Sequence, residues 1–187
     1  MVLVTALIIV LALIGLVIVF VWGLYNSLVT GKTRVEESWA QIDVQLKMRT
    51  DLIPSLIETV RAHMSQEQKI FGELAEARKS VQAAEGVPEA EAANRQLTGV
   101  LGRLLAIVED NPEITSEKSF QDFRDKDTAI EEKIRYARQF YNTSVTEYNI
   151  RLKSFPNVLL AGPLGFAPAE FFEAAEGERE KPEVKLT

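Results

Sequence analysis

Residues 2–24 carry no charged side chain, and Thr5 is the only ordinary polar one among them. At about 1.5 Å of helical rise per residue, roughly twenty such residues cross a hydrocarbon core of about 30 Å. Trp22 and Tyr25 stand at the downstream edge, where amphipathic rings favour the membrane interface. The run therefore predicts a transmembrane anchor over 1–24. A cleaved secretory signal fits poorly. No basic region precedes the run, it is too long, and "VWGLYNS" offers no small-residue cleavage site. Lys32 and Arg34 follow the span, and nothing basic but the amino terminus precedes it. The positive-inside rule then places the following domain in the cytoplasm.

An anchored chain of 187 residues has room for one further domain. There is no Cys, which excludes disulfides, thiolate nucleophiles and zinc–thiolate sites. The single His, His63, leaves no multi-His metal cage and at most one catalytic triad. A net charge of −6 argues against nucleic acid, whose affinity comes largely from Lys and Arg on phosphates. No Gly-rich phosphate loop is present, and no cofactor is expected.

The soluble part is patterned for helix. Apolar or seam-compatible residues recur at alternating gaps of four and three: Val35, Trp39, Ile42, Leu46, Arg49, Ile53, Leu56, Val60, His63, Glu67, Ile70, Leu74, Ala77 and Val81. Arg49, His63 and Glu67 are the polar entries. Pro54 lies inside the stretch, so the helix either kinks near Leu52 or stops and restarts on Asp51. The seam keeps its phase across Pro54, which favours one kinked helix of 70–75 Å at about 1.5 Å per residue. "AEGVPEAE" then stops one helix and starts another, from about Pro88 to Asp110. A third begins near Ser116 or Glu117, with a seam of Phe120, Phe123, Asp127, Ile130, Ile134, Ala137, Tyr141, Val145, Tyr148, Leu152 and Phe155. Pro156 ends it, and Pro168 can open a short last helix carrying Phe171 and Phe172. The expected fold is all-α. A transmembrane helix leads into an antiparallel bundle over 25–173, with three long helices and a short C-terminal one. It becomes four-helix-bundle-like if the first breaks at Pro54. The Glu-rich residues 174–187 are expected to be disordered.

A Tyr-Asn pair recurs at Tyr141-Asn142 and Tyr148-Asn149, seven residues apart, and Tyr25-Asn26 is a third. Both later tyrosines fall on the seam. Each Asn sits at its edge, where an amide can bond across to the next helix and select a register or a neighbour.

Three stretches resemble the LemA family of small membrane-anchored bacterial proteins. They are "YNSLVTGKTRVEESWAQIDVQLKMRTDLIPSLIETV" (25–60), "ARQFYNTSVTEYNIRLKSFP" (137–156) and "GFAPAEFF" (165–172). The resemblance implies a single-pass protein of the bacterial inner membrane with a helical bundle and no established reaction. It implies kinship with a magnetosome protein implicated in membrane invagination. It also implies TPM-domain proteins or a membrane zinc metalloprotease as partners. Where the family usually carries His-Glu after "ETV", this chain reads Gln66-Glu67. It also departs from the family pattern at Asp127 and Ile130.

Candidate chemistry is sparse. His63 and Glu67, four apart, could hold a metal ion only with help from another helix; otherwise they are an i, i+4 polar pair. Asp43, Asp51, Glu58 and Asp127 would need a cleft to act as acid and base. Arg49 and Asp127 each break an apolar seam, and either pair across helices or snorkel to solvent. Phe155, Leu159, Leu160, Leu164, Phe166, Phe171 and Phe172 form either a plug for the bundle's open end or a subunit or membrane contact. These features predict a non-enzymatic, membrane-anchored scaffold that self-associates, or alternatively an adaptor in an envelope-stress or signalling pathway.

Overall fold

The computed structural model describes residues 1–64 and 66–172, and helix is the only regular structure among them. In chain order the helices are α1 (Val2–His63), α2 (Gln68–Ala83), α3 (Val87–Glu109), α4 (Pro112–Thr115), α5 (Lys118–Lys153) and α6 (Asn157–Leu160). The all-α expectation holds, with an apolar N-terminal helix and a bundle of long helices. The apolar start of α1 is the one stretch among the described residues long and apolar enough to cross a membrane, and none of it is covered by the rest of the chain.

Four helices are long, not three, and the extra break is not at Pro54. α1 passes through Pro54 and ends at His63; α2 starts at Gln68. The reversal is visible in the contact of Arg78 with Thr50, whose carbonyl accepts from Arg78 Nε at 3.0 Å. A continuous helix would hold those residues about 42 Å apart. "MSQE" contains neither Gly nor Pro, so no turn residue announced the reversal. The two consecutive polar seam positions, His63 and Glu67, were its trace.

Proline explains where α2 docks. Pro54 has no N–H, so the Thr50 carbonyl, four residues back, lacks its helical donor. Arg78 supplies one from α2. Gln82 Nε2 adds a bond of 3.4 Å to Thr50 Oγ1. A break in one helix's ladder thus sets the register of the next.

Contacts divide the described residues into two units: Met1–Ser38 with Thr143–Glu170, and Trp39–Asn142 with Phe171 and Phe172. In the second unit α2 and α3 pack together, and Glu73 with Arg103 makes the pair antiparallel. Ile42, Leu46, Ile53, Leu56, Phe71, Leu74, Leu97, Leu101 and Leu104 are buried there. Each such side chain contributes roughly 1.5–3 kcal/mol on leaving water. Gly86, at φ +82°, opens α3 in the left-handed region that side chains with a Cβ avoid.

The seams need three corrections. Ser38, fully buried, occupies the position given to Trp39, which is only half-buried at the stripe's edge. Phe155 is 80% exposed because α5 stops at Lys153, two residues before it. The short late helix is α6, and residues 166–172 are not helical, so Pro168 opens no helix among the described residues. Residues 174–187 lie outside the described residues.

Arg78→Ala should leave the Thr50 carbonyl without a donor and destabilise the protein by about 1–3 kcal/mol in denaturant titration. Adding Pro54→Ala restores a backbone amide to that carbonyl. The double variant is therefore expected to recover most of the loss, and a strictly additive cycle would disprove the pairing.

Candidate functional site

Arg49 is the most constrained polar residue of the second unit, with its side chain 3% exposed. Its guanidinium offers five N–H donors in a rigid fork. Nε donates to Asp127 Oδ1 at 2.8 Å, and NH2 reaches Asp127 Oδ2 at 3.4 Å and Glu131 Oε1 at 2.6 Å. NH1 donates to Thr98 Oγ1 at 2.9 Å and lies 3.4 Å from Asn94 Oδ1. One cation on α1 thus ties α3 to α5. Asn94, Thr98 and Glu131 were not singled out from the sequence as Arg49's partners. Asn94 is buried on α3 between the apolar positions Ala93 and Leu97, and that was the signal available.

A cleft of about 530 Å³ opens over this network, lined by Arg95, Thr98, Glu131, Glu132, Arg135 and Arg138 among others. Its charges are mixed, and its lining holds no His or Cys to act as nucleophile or base. The carboxylates considered from the sequence have other occupations. Asp127 is held by Arg49, Asp43 receives a bond from Lys47 at 2.6 Å, and Asp51 and Glu58 are exposed. His63 faces Glu117 at 3.6 Å and Glu113 at 4.0 Å. No group of three or more His, Asp or Glu placed to hold a metal ion occurs among the described residues.

The two Tyr-Asn pairs bind the chain's own C-terminal segment. In the second unit Asn142 Nδ2 donates to the Phe172 carbonyl at 2.9 Å, and the Phe172 amide donates back to Asn142 Oδ1 at 2.9 Å. In the first unit Asn149 makes the same two bonds, both 2.9 Å, with the carbonyl and amide of Ala169. A side-chain amide presents one donor and one acceptor side by side, as a neighbouring strand would. The expected partner was an adjacent helix; the observed partner is non-helical backbone.

The spacing of seven then has a cause. Seven helical residues rise about 10.5 Å, and three residues of nearly extended chain rise about 10 Å. Two amides a heptad apart on α5 can therefore each meet a backbone position three residues apart.

The tyrosines support these clasps. Tyr141, buried, meets Trp39 edge-on at 6.1 Å, and Trp39 also meets Phe172 at 6.4 Å. Phe172 is buried with the Arg138 guanidinium 4.2 Å from its ring centre. Tyr148 donates its hydroxyl to the Ala167 carbonyl at 3.2 Å and packs on Gly31, where a Cβ would stand 3.1 Å from its ring. Burial, with the Glu36 carboxylate nearby, raises the Tyr148 hydroxyl above its ordinary pKa of 10.0. Tyr25 belongs to a different arrangement, edge-on to Phe166 at 5.6 Å. Trp22 and Phe171 are exposed. Lys32 lies 3.7 Å from Glu36, and Arg34 pairs with Glu147 at 2.9 Å.

The helix α5 carries both clasps, and the segments that meet are the two C-terminal stretches singled out in the sequence. The profile of the LemA family matches residues 38–186. The chain belongs to the LemA family. Among curated relatives, this LemA chain is similar to magnetosome protein MamQ of Magnetospirillum gryphiswaldense, 27% identical over 174 residues, covering 79% of this chain and 64% of the relative. It is also similar to magnetosome proteins MamQ 1 and MamQ 2 of Paramagnetospirillum magneticum, each 26% identical over 175 residues, covering 80% of this chain and 64% of the relative. The chain thus spans less than two thirds of the length of these relatives. One N-terminal apolar helix, together with such relatives, supports a membrane anchor in this LemA protein.

Two outcomes follow from the geometry. Asp127→Ala should cost about 1–3 kcal/mol, because the buried guanidinium loses two hydrogen bonds while Glu131 still faces it at 2.6 Å. Arg49→Met combined with Asp127→Leu should cost less than that single change, by thermal or chemical melting. Asn142→Ala with Asn149→Ala should leave far-UV circular dichroism intact but release the clasped segment. Limited proteolysis at 166–172 is expected to speed up about tenfold or more, since each lost bond is worth about 1 kcal/mol.

Proposed function

We propose that this chain is a non-enzymatic, membrane-anchored helical scaffold that associates with copies of itself and organises the membrane around it. The observation that carries this reading is an apolar groove on the second unit. Ala40, Val44, Tyr136, Ala137 and Phe140 line a hollow of about 600 Å³, with Gln41, Gln45 and Lys133 at its borders. Tyr136 is 64% exposed, Val44 51% and Phe140 41%, and Met48 on the same helix as Val44 is 44% exposed. Exposed aromatic rings beside small residues resemble the core of an interface, where Tyr, Phe and Met are enriched. The Ala positions admit a close approach of a second helix.

Family membership and relatives named as magnetosome proteins agree with a role at a membrane. Lys32 and Arg34, just after the apolar run, favour a cytoplasmic location for the domain, at the inner membrane of a bacterium. The mechanism is geometric: anchored copies that touch through one helical face form a patch, and the patch gathers lipid or partner proteins.

The test is the mass of the full-length protein in detergent, by light scattering coupled to size exclusion. Wild type is expected as a discrete oligomer without any added partner. Tyr136→Glu with Phe140→Glu should reduce it to monomer. Both residues are exposed, so melting should shift by no more than about 0.5 kcal/mol equivalent per site. A wild type that stays monomeric at high concentration overturns the scaffold. That result would favour an adaptor that acts only with a TPM-domain protein or a membrane metalloprotease.

A further inference from the structure

Within the first unit, α5 runs antiparallel to α1 and toward the apolar span. Glu147 meets Arg34, Tyr148 packs on Gly31, and Arg151 NH1 donates to the Ser27 carbonyl at 2.8 Å. Each step forward along α5 is a step back along α1 toward Tyr25 and Trp22. α5 ends at Lys153, and the chain is next tied to α1 where the Phe166 ring meets Tyr25. Residues 154–165 therefore lie at the level of the interfacial aromatics, beside the mouth of the span.

This segment suits lipid in three independent ways. From Ser154 to Ala169 there is no charged residue. Four of its five large apolar side chains are exposed: Phe155 80%, Leu159 65%, Val158 51% and Leu164 37%, with Leu160 half-buried. Six of its backbone donors are spent internally, which lowers the cost of insertion among acyl chains. The amides of Val158, Leu159, Ala161, Leu164, Gly165 and Phe166 bond to carbonyls between Ser154 and Gly162. Pro156 and Pro163 have no amide to satisfy. Asn157, the buried polar side chain of the turn, donates to the Arg151 carbonyl at 2.9 Å. Gly165, at φ +80°, supplies the left-handed turn that brings Phe166 back to Tyr25.

We propose that residues 155–164 are a second membrane contact, a short apolar wedge seated among the acyl chains of the leaflet next to the bundle. The proposal rests on the reading of α1 as a membrane anchor. Arg151 and Lys153 in the last turn of α5 put positive charge on the bundle side of this segment. Long basic stems reach phosphates while the segment beyond them is immersed. A wedge in one leaflet beside the span adds area to that leaflet alone. This gives each copy a preference for curved or loosely packed lipid.

The chain has no native Cys, so single cysteines can be placed and labelled cleanly. Full-length Leu159→Cys and Leu16→Cys, each carrying the fluorophore NBD, are reconstituted in phosphatidylcholine–phosphatidylglycerol vesicles containing doxyl-labelled lipid. Both labels are expected to be quenched, Leu159→Cys most by the shallow 5-doxyl lipid and Leu16→Cys most by the deep 12-doxyl lipid. Quenching at Leu16→Cys with none at Leu159→Cys overturns the wedge and leaves the anchor standing. A Leu159→Cys label shielded from aqueous iodide yet unquenched by lipid also overturns it, because protein then covers the segment. No lipid quenching at either position removes the anchor, and the wedge with it. A further arm carries the label on Val158→Cys with Phe155→Ser and Leu159→Ser. Both serine sites are exposed, so the fold should stand. Lipid quenching at Val158→Cys is expected to fall several-fold while quenching at Leu16→Cys is unchanged; unchanged quenching at both overturns the role of these side chains.

Discussion

The buried guanidinium of Arg49 is the interaction on which the second unit's arrangement depends. A long bundle held by Leu, Ile and Val alone tolerates sliding, because a heptad seam nearly repeats itself every seven residues. Placing a cation at one seam position removes that degeneracy. Any slip of α3 or α5 against α1 would strand the charge from Asp127, Glu131, Asn94 or Thr98, and an uncompensated buried charge costs several kcal/mol. The net stability from such a network is small. Its effect is on which packing is allowed. The Thr50 carbonyl does the same for α2, with a neutral acceptor left bare by Pro54 and reached by Arg78.

The C-terminal segment is placed by a different device. It has neither helical periodicity nor a sheet to join, so its backbone groups need partners from side chains. The Asn amides supply them two at a time, at Ala169 and at Phe172. Aromatic burial at Phe172, between Trp39 and Arg138, adds an apolar anchor to the second of these. Phe172 thus packs its ring inside the second unit. From Phe155 to Leu164, by contrast, Phe155, Val158, Leu159 and Leu164 are exposed. Plug and surface contact appeared as alternatives in the sequence; in the structure one stretch of the segment is buried and its neighbour is largely exposed.

Period and punctuation made the helices legible. Gly86 with Pro88, Asn111 with Pro112, and Pro156 each mark a helix end where a special φ or a missing amide forces one. The turn after His63 was not legible in that way, because ordinary residues make it. A seam that keeps phase across a gap does not reveal that the chain has doubled back. Pro54 ends no helix, as the unbroken phase of the seam across it suggested, and Arg78 from α2 supplies the donor that it lacks. At the candidate site, Arg49 and Asp127 stood out as seam violations, whereas Thr98 and Glu131 lie at helix edges where polar residues are common. The partner of Asn142 and Asn149 was out of reach, because hydrogen-bond periodicity across a helix and an irregular segment has no signature in either stretch alone.

Exposed apolar surface on this chain is concentrated, and its distribution says more about function than any polar cluster does. Residues 2–20 of α1, the turn from Phe155 to Leu164, and the hollow around Val44 and Tyr136 hold most of the exposed large apolar side chains. Arg49, Asp127 and Thr98 are engaged in holding helices in register, whereas these apolar side chains are left exposed. The first two stretches belong to one unit and suit lipid, by length in one case and by exposed apolar side chains without charge in the other. The third differs from them: it is a groove with aromatic walls and a Lys133 border rather than a charge-free tip. Acyl chains do not require a shaped hollow, whereas a packed helix does, which is the physical ground on which we propose a protein partner for that face and the bilayer for the other two.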